Sequence, residues 1–307
     1  MRSIYAAKRR NINPFMYIMM APGLIYLFIN NYVPMFGMFI AFKSIDYSKG
    51  VFRSDWAGLK NFKFLFQTSD AFATTRNTIL YNAAFIIIGT ILSILLAIFL
   101  NELVFTKLKG IYQTVFLLPQ LLSMVIVSYL VFAFLSIENG FFNKTLFPAL
   151  GFDPVSWYSA PEYWPAILII VNQWKNTGFY ATIYLASIVG IDKSYYEATM
   201  IDGASKLGQL RHITLPLIKP TVIIMVLMGI GRIFYSDFGL FYQVPLNSGM
   251  LFSATSTLDT YVYRGLMQLN NISMSSAAGV YQSLVGFILV MLANQLVKKF
   301  DEGNSLF

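Results

Sequence analysis

Long apolar runs separated by shorter polar stretches dominate the chain. Six runs have the length and composition to cross a bilayer as helices: Phe15–Phe42, Thr78–Leu100, Ile111–Leu135, Tyr163–Val189, Thr221–Phe241 and Ser275–Val297. A bilayer core needs roughly 20 apolar helical residues. The pattern predicts an all-α membrane protein with six transmembrane helices in a single domain, 1–307. The first run follows Lys8-Arg9-Arg10 and is too long for a signal-peptide core, so it reads as a retained span. Pro22 and Pro34 interrupt that run and predict a kink or break. Between the runs, Asp46–Phe72 predicts an outer segment with a short amphipathic surface helix. Glu138–Glu162 and Tyr242–Met274 predict two further outer loops.

Composition supports the membrane reading and narrows the chemistry. The chain is 57% hydrophobic and 12% charged, whereas a soluble domain carries about a quarter charged residues. Lysine and arginine favour the segments that lie inside if the N-terminus is inside, so both termini are expected in the cytoplasm. The net charge of +8 is accounted for by basic flanks facing anionic lipid and calls for no nucleic acid. There is no cysteine and a single histidine, His212. Thiolate and multi-histidine metal sites are thereby excluded, and no metal or cofactor is expected. No G-x-x-x-x-G-K-[ST] sequence occurs, so any ATP that drives the protein binds to another chain.

One polar segment carries a strict pattern. In Tyr195–Pro220, Glu197-Ala198 is followed by Asp202-Gly203-Ala204 and then by Ile213, Leu215 and Pro216. Tyr195–Ile201 predicts a short helix. Gly203 permits a sharp change of backbone direction, and Asp202 is placed to cap a second helix. Pro216 and Pro220 are expected to close the element and begin the next span. Order and spacing resemble the EAA loop of bacterial ABC importer permeases. Thr199 stands where that loop usually has a third small residue, and Leu210 where it usually has an aromatic one. Trp56–Phe62, Asn77-Thr78, Phe116–Pro119, Thr257–Leu266 and Ser276–Ser283 extend the resemblance toward permeases for complex polysaccharides within the maltose/oligosaccharide-type family.

The resemblance implies a type I ABC importer permease fold, with a cytoplasmic coupling loop at about 190–220 in which Glu197 and Gly203 meet an ATPase subunit. It implies a second homologous permease, two ATPase subunits that bind ATP and magnesium, an extracytoplasmic solute-binding protein, and an oligosaccharide or complex glycan as cargo. It also implies residence in the bacterial cytoplasmic membrane, among membrane lipids.

Ionisable and amide groups inside runs point to a pathway, because such groups are costly in lipid. Asn172, Lys175 and Asn176 share one helical face of the fourth run. The fifth run holds Arg232, Tyr235, Ser236 and Asp237, with Arg232 and Ser236 on one face and Gly229 and Gly231 expected to leave room for a cavity. Amides, hydroxyls and a guanidinium suit sugar hydroxyls. The packing alternative is a Lys175–Asp237 pair holding two helices together. An ion-coupled transporter would need mid-membrane acids and an inverted repeat, and a membrane enzyme a catalytic constellation. Asp237 alone serves the first, and nothing serves the second.

Overall fold

The computed structural model describes residues 14–63 and 69–300. The Lys8-Arg9-Arg10 cluster lies outside them. Among the described residues the regular structure is helical apart from a two-stranded antiparallel hairpin, β1 (Lys43–Ser44) with β2 (Asp55–Trp56), in which Lys43 faces Trp56.

The first span forms as read. α1 (Pro14–Leu27), a π turn (Phe28–Tyr32) and a 3-10 segment (Pro34–Phe42) make a rod over Phe15–Phe42. The helix passes Pro22 without a break. At Pro34 it changes winding instead of breaking, because a proline at the start of the new segment removes only an N–H that lacks a partner there. The rod's last carbonyls are capped from the segment that follows it. Asn61 Nδ2 donates to the carbonyls of Ala41 and Lys43 at 2.8 Å each, and the Ala57 N–H donates to Phe42 at 2.8 Å. Of Asp46–Phe72, where an amphipathic helix was expected, the described part forms this hairpin, the four-residue α2 (Gly50–Arg53) and a 3-10 turn at Lys60–Phe62. Residues 64–68 lie outside the described ones.

Two long helices form the centre: α3 (Ser69–Glu102) and α7 (Trp164–Val189) pack along each other more extensively than any other pair. Near one end Tyr81, Trp164, Leu168, Leu240 and Phe241 form a core, and near the other Leu100, Tyr184, Leu185 and Ile218 form a second. By length and composition Phe15–Phe42, Ala71–Glu102, Lys206–Gly231 and Ile272–Lys299 can each cross a membrane. α7 falls short of that test because Asn172, Gln173, Lys175 and Asn176 interrupt its middle. The first three of these are buried, so the polar stretch faces protein, not lipid.

The third run is not straight. α4 (Thr106–Leu121) and α5 (Met124–Leu135) meet at an angle of 98° across Leu122-Ser123. α4 approaches α7 at Gly178, where a Cβ would lie 1.9 Å from the Phe116 carbonyl oxygen. The loop that follows contains the four-residue α6 (Phe147–Leu150) and a chain of touching rings that includes Phe142, Phe147, Trp157 and Tyr163.

After α7 come α8 (Lys193–Ile201), α9 (Lys206–Gln209), a π turn (Leu210–Thr214) and α10 (Leu215–Gly231). The fifth span begins earlier than the sequence implies, since Lys206–Gly231 is one helical rod with Pro216 in its course and Pro220 inside it. It also ends earlier, at Gly231. α11 (Phe238–Gln243), α12 (Phe252–Thr255), α13 (Leu258–Leu269) and α14 (Ile272–Phe300) follow.

Candidate functional site

The loop between α7 and α10 is a preformed knob. Asp192 caps α8 by accepting the Ser194 N–H at 2.9 Å. That bond holds the exposed Asp192 carboxyl below the usual carboxylate range. Asp202 ends α8 and, contrary to the expectation from the sequence, does not cap the next helix. Ser205 does, accepting the Gly208 N–H at 3.2 Å. Gly203 takes φ +77°, and two bonds close the turn around it: Gly203 N–H to Met200 at 3.1 Å and Ala204 N–H to Thr199 at 2.9 Å. This is a Schellman C-cap, whose left-handed residue is glycine for want of a Cβ.

Side chains then fasten the knob to the rod behind it. The hydroxyls of Tyr196 and Thr214 are 2.9 Å apart. Buried Gln209 donates to the Tyr196 carbonyl and to the Thr199 hydroxyl at 3.4 Å each. Thr199 therefore has work at its unusual position. Glu197, Ala198, Asp202, Gly203, Ala204, Leu215 and Pro216 all face outward. Beside them Ile201 is 87% and Leu207 73% exposed, an apolar tip on a rigid support. His212 Nδ1 lies 3.0 Å from the Gly208 carbonyl, a local contact in the same turn. The Lys206–Glu102 pair at 3.4 Å is solvent-facing and contributes little.

The second arrangement lies beyond Gly231. Arg232 ends α10, and Arg232–Asp237 is not helical, so the face shared by Arg232 and Ser236 does not exist. Remote side chains satisfy this backbone. From α3, Asn82 Nδ2 is 3.0 Å from the carbonyls of both Ile233 and Tyr235. From α14, Gln282 donates to Phe234 at 2.7 Å, and Ser283 lies 2.7 Å from the Tyr235 hydroxyl. From α13, the Asp259 carboxylate accepts the Ser236 N–H at 2.6 Å and its hydroxyl at 2.7 Å. Asp237 caps α11 through the Leu240 N–H at 3.2 Å. Non-helical backbone at such a place persists in a membrane protein only where protein or a watery cavity surrounds it. Arg232, Tyr235 and Asp237 are exposed, and Arg232 makes no ion pair among the described residues.

Two expectations about neighbouring residues fail. Gly229 and Gly231 do not open a cavity. A Cβ on them would lie 3.0 Å from Ile86 Cγ1 and 2.7 Å from Val290 Cγ2, so they let α10 pack tightly on α3 and α14. The Lys175–Asp237 ion pair is also not formed. Lys175 Nζ donates instead to the carbonyls of Pro119 and Gln120, at 3.2 and 3.1 Å, and to that of Leu122. Asn172 is buried, and its carbonyl accepts Asn176 Nδ2 at 3.0 Å. Asp259, Gln282, Asn82, Tyr196 and Gln209 were not singled out from the sequence. Their partners lie on other elements of the chain, and only the presence of Tyr196, Gln209, Asp259 and Gln282 within motif segments hinted at them.

An exposed knob at one end of an apolar rod and a non-helical stretch at its other end are the two arrangements that the class of this integral membrane protein must explain. The chain belongs to the family of binding-protein-dependent transport system inner membrane components, whose pattern matches residues 89–302. It is similar to the polygalacturonan/rhamnogalacturonan transport system permease protein YteP of Bacillus subtilis, at 36% identity over 94% of this chain and 89% of that one. Protein LplB of the same organism is 33% identical, over 94% and 89%. Among solved structures, a chain of a bacterial ABC transporter that imports the acidic polysaccharide alginate superposes with a TM-score of 0.85, at 30% identity, covering 94% of this chain and 96% of that one. The protein is an integral membrane permease of an ABC importer, and the ion-coupled reading is set aside.

Proposed function

We propose that this permease carries an acidic oligosaccharide or related glycan across the bacterial cytoplasmic membrane by alternating access. The observation that carries the reading is the Arg232–Asp237 break, where an exposed, unpaired guanidinium and an exposed tyrosine ring stand on backbone fixed from three other helices. A guanidinium binds carboxylates and hydroxyls through its fork of donors, and a tyrosine ring stacks on a sugar face. Relatives named for polygalacturonan and for alginate support an acidic cargo. Asn176, Arg232, Tyr235, Ser236 and Asp237 are the pathway candidates; Asn172 and Lys175, being buried, would act from behind it.

Six crossings follow if α4 and α5 together make one. The rod Phe15–Phe42, α3, α7, α10 and α14 would supply the others; an even count leaves both termini and the α8–α9 knob on one side, and the lysine and arginine bias supports the cytoplasm for it. There Glu197, Ala198, Asp202, Gly203 and Ala204 would dock an ATPase subunit, with Leu215 and Pro216 at the knob's base. The full transporter would contain a second permease, two ATPases holding ATP and magnesium, and a solute-binding protein. A complex structure of the alginate transporter with a pentasaccharide-bound periplasmic protein supports the last of these. Closure of the ATPases would move the knob as a rigid piece and shift the pathway between outward and inward states.

The test is reconstitution in lipid nanodiscs with the co-purifying partners. ATP hydrolysis should rise when a binding protein loaded with an oligogalacturonide is added, and should rise less with a neutral glycan of equal length. Equal stimulation by both would overturn the acidic cargo. Absence of any ATPase chain from the purified complex would overturn the importer assembly.

A further inference from the structure

The lysine in the middle of α7 has a task that neither the pathway reading nor the packing alternative assigns to it. The last carbonyls of a helix have no partners within the helix, and they carry the negative end of its dipole. At the end of α4 the chain turns through 98°, so α5 cannot continue the ladder, and locally the Leu122 N–H reaches only back to the Pro119 carbonyl, at 3.2 Å. Little in the local sequence holds the turn. Ser123 caps α5 through an Ile126 N–H at 3.4 Å, a weak bond, and the loop between the helices is two residues long. The support comes from α7. The Lys175 ammonium is buried, with 8% of its surface exposed, and is bonded to the Pro119, Gln120 and Leu122 carbonyls. Gly178, one turn along the same face, lets the α4 backbone approach closely enough for this.

The bend bears directly on the broken span. α5 packs on α11, and the contact is tight: a Cβ on Gly239 would lie 2.8 Å from Met124 Cγ. Met124 is the first residue of α5, and Asp237, two residues before Gly239, ends the segment that begins at Arg232. A shift of α5 at its origin therefore moves α11 and the end of the Arg232–Asp237 segment. We propose that Lys175 is a positioning residue for transport. It is a tethered cation that fixes the α4–α5 bend by closing the open end of α4, and through Met124 and Gly239 it sets the Arg232–Asp237 segment without touching the glycan. The part that concerns transport rests on the pathway reading above; the part that concerns the bend does not.

The bend is measurable by itself. The chain has no cysteine, so Ile111→Cys in α4 and Ala133→Cys in α5, both exposed positions, can carry spin labels in a complex whose partners are cysteine-free. At about 1.5 Å per residue, a bend of 98° places these backbones about 22 Å apart, against about 33 Å for a straight helix. Pulsed electron spin distances should centre near the shorter value in the wild type. In Lys175→Met they should broaden and lengthen, with complex yield kept and uptake down at least tenfold. Lys175→Arg should restore the short distance and part of the uptake. A wild-type distance in Lys175→Met would overturn the proposal whatever uptake does. A lengthened distance with normal uptake would overturn the transport part while leaving the bend assignment and the importer reading intact. If Lys175→Met yields no complex, Lys175→Gln carries the same comparison. Loss of complex in both would overturn positioning in favour of a folding role.

Discussion

Gly178 offers the sharpest test of how α4 and α7 are joined. Alanine there would place its methyl 1.9 Å from the Phe116 carbonyl oxygen and 2.4 Å from the carbonyl carbon. Ordinary carbon–oxygen contacts lie near 3.3 Å, so the helices must separate by about 1.4 Å. Both obstructing atoms are backbone, so no side chain can rotate away. Overpacking by a methylene or so costs about 1–3 kcal/mol, and a backbone obstacle puts Gly178→Ala near the upper end. At roughly 2 °C per kcal/mol for a chain of this size, the midpoint of thermal inactivation of the detergent-solubilised complex should fall by about 6 °C. Uptake should fall with it, since the same separation draws the Pro119 and Gln120 carbonyls away from Lys175. Gly110→Ala is the control. It lies in α4, the helix that Gly178 faces, with nothing within 4 Å of the added methyl, and should not lower the midpoint. Equal midpoints for the two variants would show that α4 and α7 do not meet as described.

Gly203→Val and Glu197→Lys should each abolish uptake while leaving membrane abundance unchanged. The valine must take φ +77°, at a strain of roughly 1–2 kcal/mol, and the lysine reverses the charge of an exposed knob position. Normal uptake and normal ATPase association in both would sink the docking assignment. Cysteines at Asp55, Asp153 and Asn247 should react with an impermeant thiol reagent from outside, and one at Lys298 should not; labelling at 298 would mean an odd number of crossings. Arg232→Ala should lower uptake with the complex intact, and Arg232→Lys should restore part of it. Full transport by Arg232→Met would remove Arg232 from the pathway.

Hydropathy revealed most of the long apolar helices, and the EAA pattern located the knob, because both signals are local. α8 and its Gly203 stop follow from residues within a turn of one another. The two breaks were illegible for the opposite reason. Leu122-Ser123 sits inside an unbroken apolar run, and no window average reports that the backbone has turned through 98° there. The cation that bonds to the carbonyls at the turn stands more than fifty positions away. The Arg232–Asp237 break depends likewise on Asn82, Asp259 and Gln282, which a periodic reading of the fifth run cannot see. Yet the motif segments behind the family resemblance supply many of these supports. Asn61 closes the end of the first rod. Asn77 donates to the Ser253 and Ser256 carbonyls, and the Thr78 hydroxyl accepts the Leu258 N–H. Thr257 and Thr260 make the capping box of α13, and Asp259 and Gln282 hold the break. In lipid an unmade backbone hydrogen bond has no water to fall back on. Each departure from the helix therefore needs a particular polar side chain at a particular place, whereas an apolar stretch facing lipid accepts many sequences. The polar residues that such motifs contain are therefore pointers to where the chain leaves the helix, and here those places are the candidate pathway and its supports.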